Sequence, residues 1–490
     1  MGLRKLATHS SLRRFSAHMP RNLFSALYST TLPCSDHEIQ VLCGVVSNYV
    51  GSLDDLESSL QESGVSLTSS LVASVIDLCK KEVPSRRLLR FFTWSCKNLN
   101  QDLDDRDFNH AIRVLAEMKD HRAIEILLSD FRNEGRELEV QTFCVVADAL
   151  VKLGKEDDAL GIFKNLNLFK CPQDKFTVTA IVNALCARGH AKRAEGVIWH
   201  HKDKLSGAEL CIYRSLLYGW SFQENVKEAR RIIQEMKSKK MVPDLFCYNT
   251  FLRCLCEHNL KHNCSGLGPE ALNVMMEMRS YKIAPNSISY NILLSCLGRA
   301  RRVKESLNAL DLMKRSGCDP DWVTYYLVIR VLFLSGRFGK GNRIVEQMMG
   351  GLRPPPKFYH DLIGVLCGRE RVNHALALFE LMKLNDAGGY GPVYDLLIPK
   401  LCRCGDFGKG KELWDGAVKM GITLSCSSSV LDPSVTQVFV PRQKEHDAMR
   451  DDPVKQNARI QNGDHGTSET KKKKKKDSQG QALPDGIGSQ

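Results

Sequence analysis

No Cys-x-x-Cys pair occurs anywhere in the 490-residue chain, although it holds 18 cysteines. That absence excludes zinc-ribbon and thioredoxin chemistry, which need two thiols at that spacing. No apolar run approaches the roughly 18 residues of a membrane span. Catalytic signatures are missing too: there is no P-loop, no Gly-x-Ser-x-Gly and no His-Glu-x-x-His. The His-x-Glu and later Cys-x-x-Cys that hold a deaminase zinc are absent, and the polar C-terminal stretch has no fold to carry a metallonuclease's acid cluster. Neither catalysis nor a cofactor is expected, and the chain is read as acting by binding.

Acidic residues are also missing where the chain starts. Residues 1–35 carry Arg4, Lys5, Arg13, Arg14 and Arg21, many Ser and Thr, and no Asp or Glu. This is the composition of an organellar transit peptide, with no secretory apolar core. The early arginines favour a mitochondrion, with a chloroplast as the alternative. Removing this segment and the tail from residue 427 leaves +6 of the formal +13 for residues 36–426. A body so mildly basic would not hold polyanions by bulk charge, so nucleic-acid binding would need a local stripe. The cysteines are expected as reduced, buried thiols acting as small hydrophobes.

What the chain does have is a period. The residues Phe108, Phe143, Val178, Tyr213, Tyr248, Tyr290, Tyr325, Tyr359 and Tyr394 recur at 35, 35, 35, 35, 42, 35, 34 and 35 residues. A second marker is small: Ala123, Ala159, Ala194, Ala229, Ala271, Ser306, Gly341, Ala375 and Gly410. Between markers the apolar spacing is helical, as in Leu293, Leu294 and Leu297, then Val303, Leu307, Leu310 and Met313. Gly317 and Pro320 supply a stop and a restart. Each unit is therefore a helical hairpin whose small residue lets two backbones approach. Four cysteines (Cys186, Cys256, Cys367 and Cys402) share one repeat position.

Hairpins of this size bury their apolar faces only by stacking, which predicts a right-handed all-α solenoid of about ten hairpins. The expected organisation is a transit peptide over 1–35, a helical cap region over 36–104 with one degenerate helical pair, an array of about nine repeats over 105–424, and a disordered tail over 425–490. About seven extra residues near "NLKHNCSGLGPE" are assigned to the turn inside the 42-residue unit.

A 35-residue hairpin with "Tyr-Asn-x-Leu" at its start and "Gly-x-x-Pro-Asp" at its end resembles the pentatricopeptide repeat family, pure-repeat subclass. The segment "LLRFFTWSCKNL" resembles the entry segment of its plant organellar members. The resemblance implies a partner, single-stranded organellar RNA, read at one base per repeat. In the family, the residue after the Tyr and the last residue of the repeat face the base edge together. On that pattern Asn249 with Asn286 resembles a reader of cytosine or uracil, and Asn291 with Asp321 one of uracil. Thr179 with Glu209 suggests a purine, and Asn109 with Glu139 a pyrimidine. Cys144 with Asp174, Arg214 with Asp244, Tyr326 with Pro355 and His360 with Tyr390 depart from the pattern, and Asp395 has no clear partner.

Helix capping is the competing role for Asn249 and Asn291. A solvated turn is favoured over phosphate contact for Arg299, Arg301, Arg302 and Lys304. Lys471–Lys476 offers either salt-sensitive RNA affinity, a nuclear-type signal or a solvated tail. RNA metabolism, with intron splicing preferred, is the process implied by the resemblance. The rival reading is a protein-binding scaffold whose partners are ribosomal or other RNA-processing proteins.

Overall fold

The chain is described by a computed structural model covering residues 36–48, 51–99, 104–207 and 209–438. The transit-peptide segment and the hexalysine lie outside these residues. The described residues as far as Gln437 form one compact unit. Within it the described residues form twenty-two α-helices and no strand.

Four helices precede the array: α1 (Asp36–Ser47), α2 (Leu53–Glu62), α3 (Ser69–Cys79) and α4 (Ser85–Asn98). Nine hairpins follow. They are α5/α6 (Asp105–Glu117, His121–Glu134), α7/α8 (Val140–Lys152, Glu156–Lys164) and α9/α10 (Lys175–Ala187, Ala191–His200). Next come α11/α12 (Glu209–Phe222, Val226–Ser238), α13/α14 (Leu245–His262, Leu267–Ser280) and α15/α16 (Ser287–Arg299, Val303–Arg315). The last are α17/α18 (Trp322–Leu334, Phe338–Met349), α19/α20 (Pro356–Gly368, Val372–Leu384) and α21/α22 (Gly391–Arg403, Phe407–Lys419). The first helix of each pair is called A and the second B.

Both markers sit where the spacing puts them. Tyr248, Tyr290, Tyr359 and Tyr394 are fully buried on A helices, and the small residues are buried on B helices. The hydroxyl of Tyr290 reaches Ser316 Oγ at 3.0 Å, tying helix A to the turn that ends helix B. At Gly341 an added Cβ would lie 2.7 Å from Phe333 Cδ1, and at Gly410 2.7 Å from Cys402 Sγ. Phe333 is fully buried and its ring is rigid. Gly341→Ala is therefore expected to cost about 1–3 kcal/mol, as overpacking does, read as a lower midpoint in denaturant unfolding.

Consecutive A helices pack directly on one another from α5 to α21, whereas consecutive B helices from α6 onward approach less closely. Long charged side chains bridge the B layer instead. Arg193 pairs with Asp157 at 2.7 Å, Arg230 with Glu277 at 2.7 Å, and Arg231 with Glu195. Half-exposed pairs of this kind contribute about 0–1 kcal/mol each, so stability rests on the apolar seam between the layers. The repeated cysteines lie in that seam, and burial pushes the Cys367 thiol up to about 11. Among the described residues all cysteines are unpaired.

Three sequence expectations are corrected. The N-terminal region holds two hairpins rather than one, because α1 and α2 form a pair without either marker, and the described hairpins number eleven. The extra residues of the long unit mostly lengthen helix A: α13 has 18 residues where α15 has 13. Ordinary A–B turns reverse through one left-handed residue, such as Gly336 (φ 78°) or Arg301 (φ 55°). The long unit has none; its longer helix is tied to helix B where buried Asn259 donates to Glu270 Oε2 at 2.8 Å.

Thirdly, the polar stretch after residue 424 is structured as far as Gln437. A single 3₁₀ turn, Ser428–Leu431, packs on α21 and α22 and closes the end of the array. Asp395 anchors it, accepting from the Ser425 and Cys426 amides at 2.7 and 3.0 Å. Burial opposes ionisation there, but these amide bonds prevail and hold the Asp395 carboxyl below its usual range. A depressed carboxylate stabilises fully above its unfolded pKa and loses that contribution as pH falls through the folded value. Asp395→Ala is expected to speed hydrogen exchange of the 422–437 peptide at neutral pH while leaving the α5–α20 peptides unchanged. Unaltered exchange of that peptide would reject the anchor.

Candidate nucleic-acid interface

The residue that ends one repeat begins the next helix. Asp174, Asp244, Asn286 and Asp321 are the N-caps of α9, α13, α15 and α17, each accepting from a first-turn amide. Such caps satisfy backbone donors that helices leave unpaired. Asn249 and Asn291 lie five residues into α13 and α15 and make no cap bond, so capping falls on their partners. Stacking of consecutive A helices then brings the fifth residue of one helix beside the N-cap of the next.

The pair Asn291–Asp321 is closed by direct bonds. Asn291 Nδ2 donates to Asp321 Oδ1 at 3.1 Å and Oδ2 at 3.3 Å. Thr324 Oγ1 lies 2.7 Å from Asn291 Oδ1 and 2.8 Å from Asp321 Oδ1. In the preceding pair, Ser289 Oγ donates to Asn249 Oδ1 at 2.6 Å and reaches Asn286 Oδ1 at 3.2 Å. Ser289 and Thr324 are fully buried hydroxyls at the third position of their helices. They fix both amides in orientation while Asn249 and Asn291 stay half-buried. The sequence reading missed them, although a Ser or Thr three residues after an Asn or Asp cap is itself a capping signature.

An apolar row beside these pairs was also missed. Phe176, Phe246 and Ile288 are 61, 46 and 38% exposed, unusual for side chains so apolar. Each lies three residues before Thr179, Asn249 or Asn291, and residues i and i+3 share a helix face.

The other predicted positions are occupied by the protein's own bonds. Asn109 is fully buried; its Nδ2 donates to the Asp105 and Glu137 carbonyls at 2.6 and 2.9 Å, and its Oδ1 accepts from the Glu139 amide at 2.9 Å. It is a structural staple between α5 and α7, a correction to its expected base contact. Glu139 accepts from Arg113 at 2.7 Å. Thr179 Oγ1 donates back to the Lys175 carbonyl, and Glu209 folds onto the Gly207 amide, so no bond joins these two. Asp174 closes a capping box with Thr177, and beside it burial, then the Asp174 charge, raises the Cys144 thiol. Arg214 forms an ion pair with Asp244; despite burial, the Cys247 amide and Arg214 hold that carboxyl below its ordinary value. His360 Nε2 bonds the Gly389 carbonyl at 2.7 Å rather than Tyr390.

Models described as the PPR repeat family match residues 209–257 and 285–333, and a pentatricopeptide repeat domain model matches 268–300. A mitochondrial pentatricopeptide repeat-containing protein of Arabidopsis thaliana is 60% identical over 419 residues, 85% of this chain and 86% of the relative. The chain belongs to the pentatricopeptide repeat family. A second Arabidopsis relative, the small ribosomal subunit protein mL104 (rPPR9), is 30% identical over 354 residues, 71% of this chain and 67% of the relative. The crystal structure of the pentatricopeptide repeat protein PPR10 with an 18-nucleotide psaJ RNA element matches at 19% identity and TM-score 0.42, covering 80% of this chain and 65% of that one.

In this pentatricopeptide repeat protein the two asparagine pairs are adjacent: the first spans the junction between the long unit and the next, and the second spans the junction after it. Among the described residues no His, Cys, Asp and Glu group could hold a metal ion. No described helix is long and apolar enough to cross a membrane.

Proposed function

We propose that the protein binds single-stranded mitochondrial RNA along its A helices and reads two neighbouring pyrimidines, through Asn249/Asn286 and Asn291/Asp321. The observation that carries this reading is the Asn291–Asp321–Thr324 cluster, whose bonds orient a half-buried amide on the helix face it shares with Ile288. An Asn amide offers N–H donors and an acceptor oxygen to a base's pairing edge, and the family resemblance assigns an Asn at this position to a pyrimidine. The protein acts by binding and not by catalysis, in the processing, stabilisation or splicing of a transcript. Its place in the mitochondrion accords with its 60%-identical relative's name. With most other pair positions engaged internally, its site is short, and the rest of its affinity comes from stacking and backbone contact.

A second reading is favoured by the relative named as a ribosomal protein: the array is a scaffold in an assembly, and the pairs serve only helix packing. Crosslinking and sequencing of the RNA held by the intact protein, beside an Asn249→Ala/Asn291→Ala variant, separates the two. A sharp footprint that the variant loses supports base reading. A diffuse or unchanged footprint would move the assignment to the scaffold.

A further inference from the structure

The A–B turns of the later hairpins form an edge of the array remote from the base-reading pairs. Between the turn of α15/α16 and that of α17/α18 lies an open notch of about 380 Å³, lined by Arg301, Arg302, Lys304, Glu305, Ser335 and Arg337. Its single acid, Glu305, accepts from Arg302 through Oε1 at 3.1 Å, while its Oε2 is buried without a hydrogen-bond partner. Arg299, which the sequence groups with these bases, is held away by two bonds to Glu257 at 2.6 and 2.7 Å. Arg301, Lys304 and Arg337 are exposed and have no carboxylate partner among the described residues. Three uncompensated cations thus converge on one concave site beside the Ser335 side chain. The next turns continue the edge with exposed Arg371 and Arg403.

We infer that this edge holds the sugar–phosphate backbone of a folded, double-helical RNA segment adjoining the strand in the groove. The inference rests on the reading that the groove takes single-stranded RNA. Arg301 follows Asn291 by ten residues, so at 1.5 Å per residue the notch lies about 15 Å along the helix from the base-reading amide. A nucleotide whose base edge meets Asn291 does not place its own phosphate there, and a second RNA segment must. Successive turns lie about 10 Å apart, the spacing of packed helices, so the cations form a row rather than one point. A duplex, with one charge per roughly 1.7 Å of axis, presents phosphates densely enough to meet such a row in any sequence. Guanidinium forks suit phosphate oxygens bidentately.

The test uses the full chain and a G·C RNA hairpin without a single-stranded overhang, followed by fluorescence anisotropy over a salt series. Three proteins are compared: wild type, Arg301→Ala/Lys304→Ala/Arg337→Ala, and Asn249→Ala/Asn291→Ala. All three altered cations are exposed, so an unchanged melting curve is expected and checked. Wild type should bind the hairpin, and the triple variant at least roughly tenfold less well, with a salt slope lower by about 2–3, near 0.9 per lost phosphate contact. The asparagine variant should bind the hairpin as wild type does. A hairpin ignored by wild type, or held equally by the triple variant, overturns the inference, as does equal loss in the asparagine variant. Failure of the groove reading shows elsewhere, as a single-stranded ligand indifferent to the asparagine changes.

Discussion

Asn249→Ala/Asn291→Ala is expected to weaken binding of a matched single strand by about 2–6 kcal/mol, roughly 30- to 20,000-fold. The estimate takes about 1–3 kcal/mol for each correctly paired base edge. The same variant should bind matched strands and strands with purines at the two positions almost equally, because the groups that discriminated are gone. Its fold should persist. Ser289 still reaches Asn286 Oδ1, and Thr324 still reaches Asp321 Oδ1, so neither buried hydroxyl is orphaned. Anisotropy titrations with the crosslinked RNA site and its two-base variants give the numbers. Preserved discrimination would assign these amides to packing alone.

Phe176→Ala/Phe246→Ala is expected to do the opposite: lower affinity for every sequence while leaving the ratio between matched and mismatched strands unchanged. Stacking of a base on an aromatic ring contributes about 1–3 kcal/mol, so the pair should cost about 2–6 kcal/mol. Both rings are more exposed than apolar side chains usually are, so their loss should hardly alter stability. A drop in melting temperature with unchanged RNA affinity would show that the rings serve the fold.

Much of the architecture is legible because a repeat states its rule nine times. Tyr290 and Ser306 alone would mean little, but their recurrence reveals both helices and the closeness of their contact. Reading fails where the determinant is not periodic. The hairpin α1/α2 carries neither marker. The lengthened α13 is tied to helix B by Asn259 meeting Glu270, and nothing in "NLKHNC" breaks a helix before Gly266. Asn109 has the same chemistry and repeat position as Asn291, yet it turns inward to the Glu137 carbonyl, a contact made by chain from the following turn. Arg214 facing Asp244 thirty residues on could have been read as an ion pair, since that spacing was already in hand. Asp395 likewise has its partner thirty residues on, in Ser425, where the marker pattern had lapsed.

The contrast between a tightly packed A layer and a B layer bridged by long charged side chains gives the array a mechanical character. Its A layer is close to inextensible, since lengthening it would open apolar contacts. Its B layer behaves as a soft spring, because each arginine–carboxylate bridge can slide or exchange partners at about 1 kcal/mol or less. Bending that closes or opens the B layer is therefore cheap, and salt softens it further. A strand lying on the A layer can draw successive hairpins to its own rise without unseating the residues that hold it.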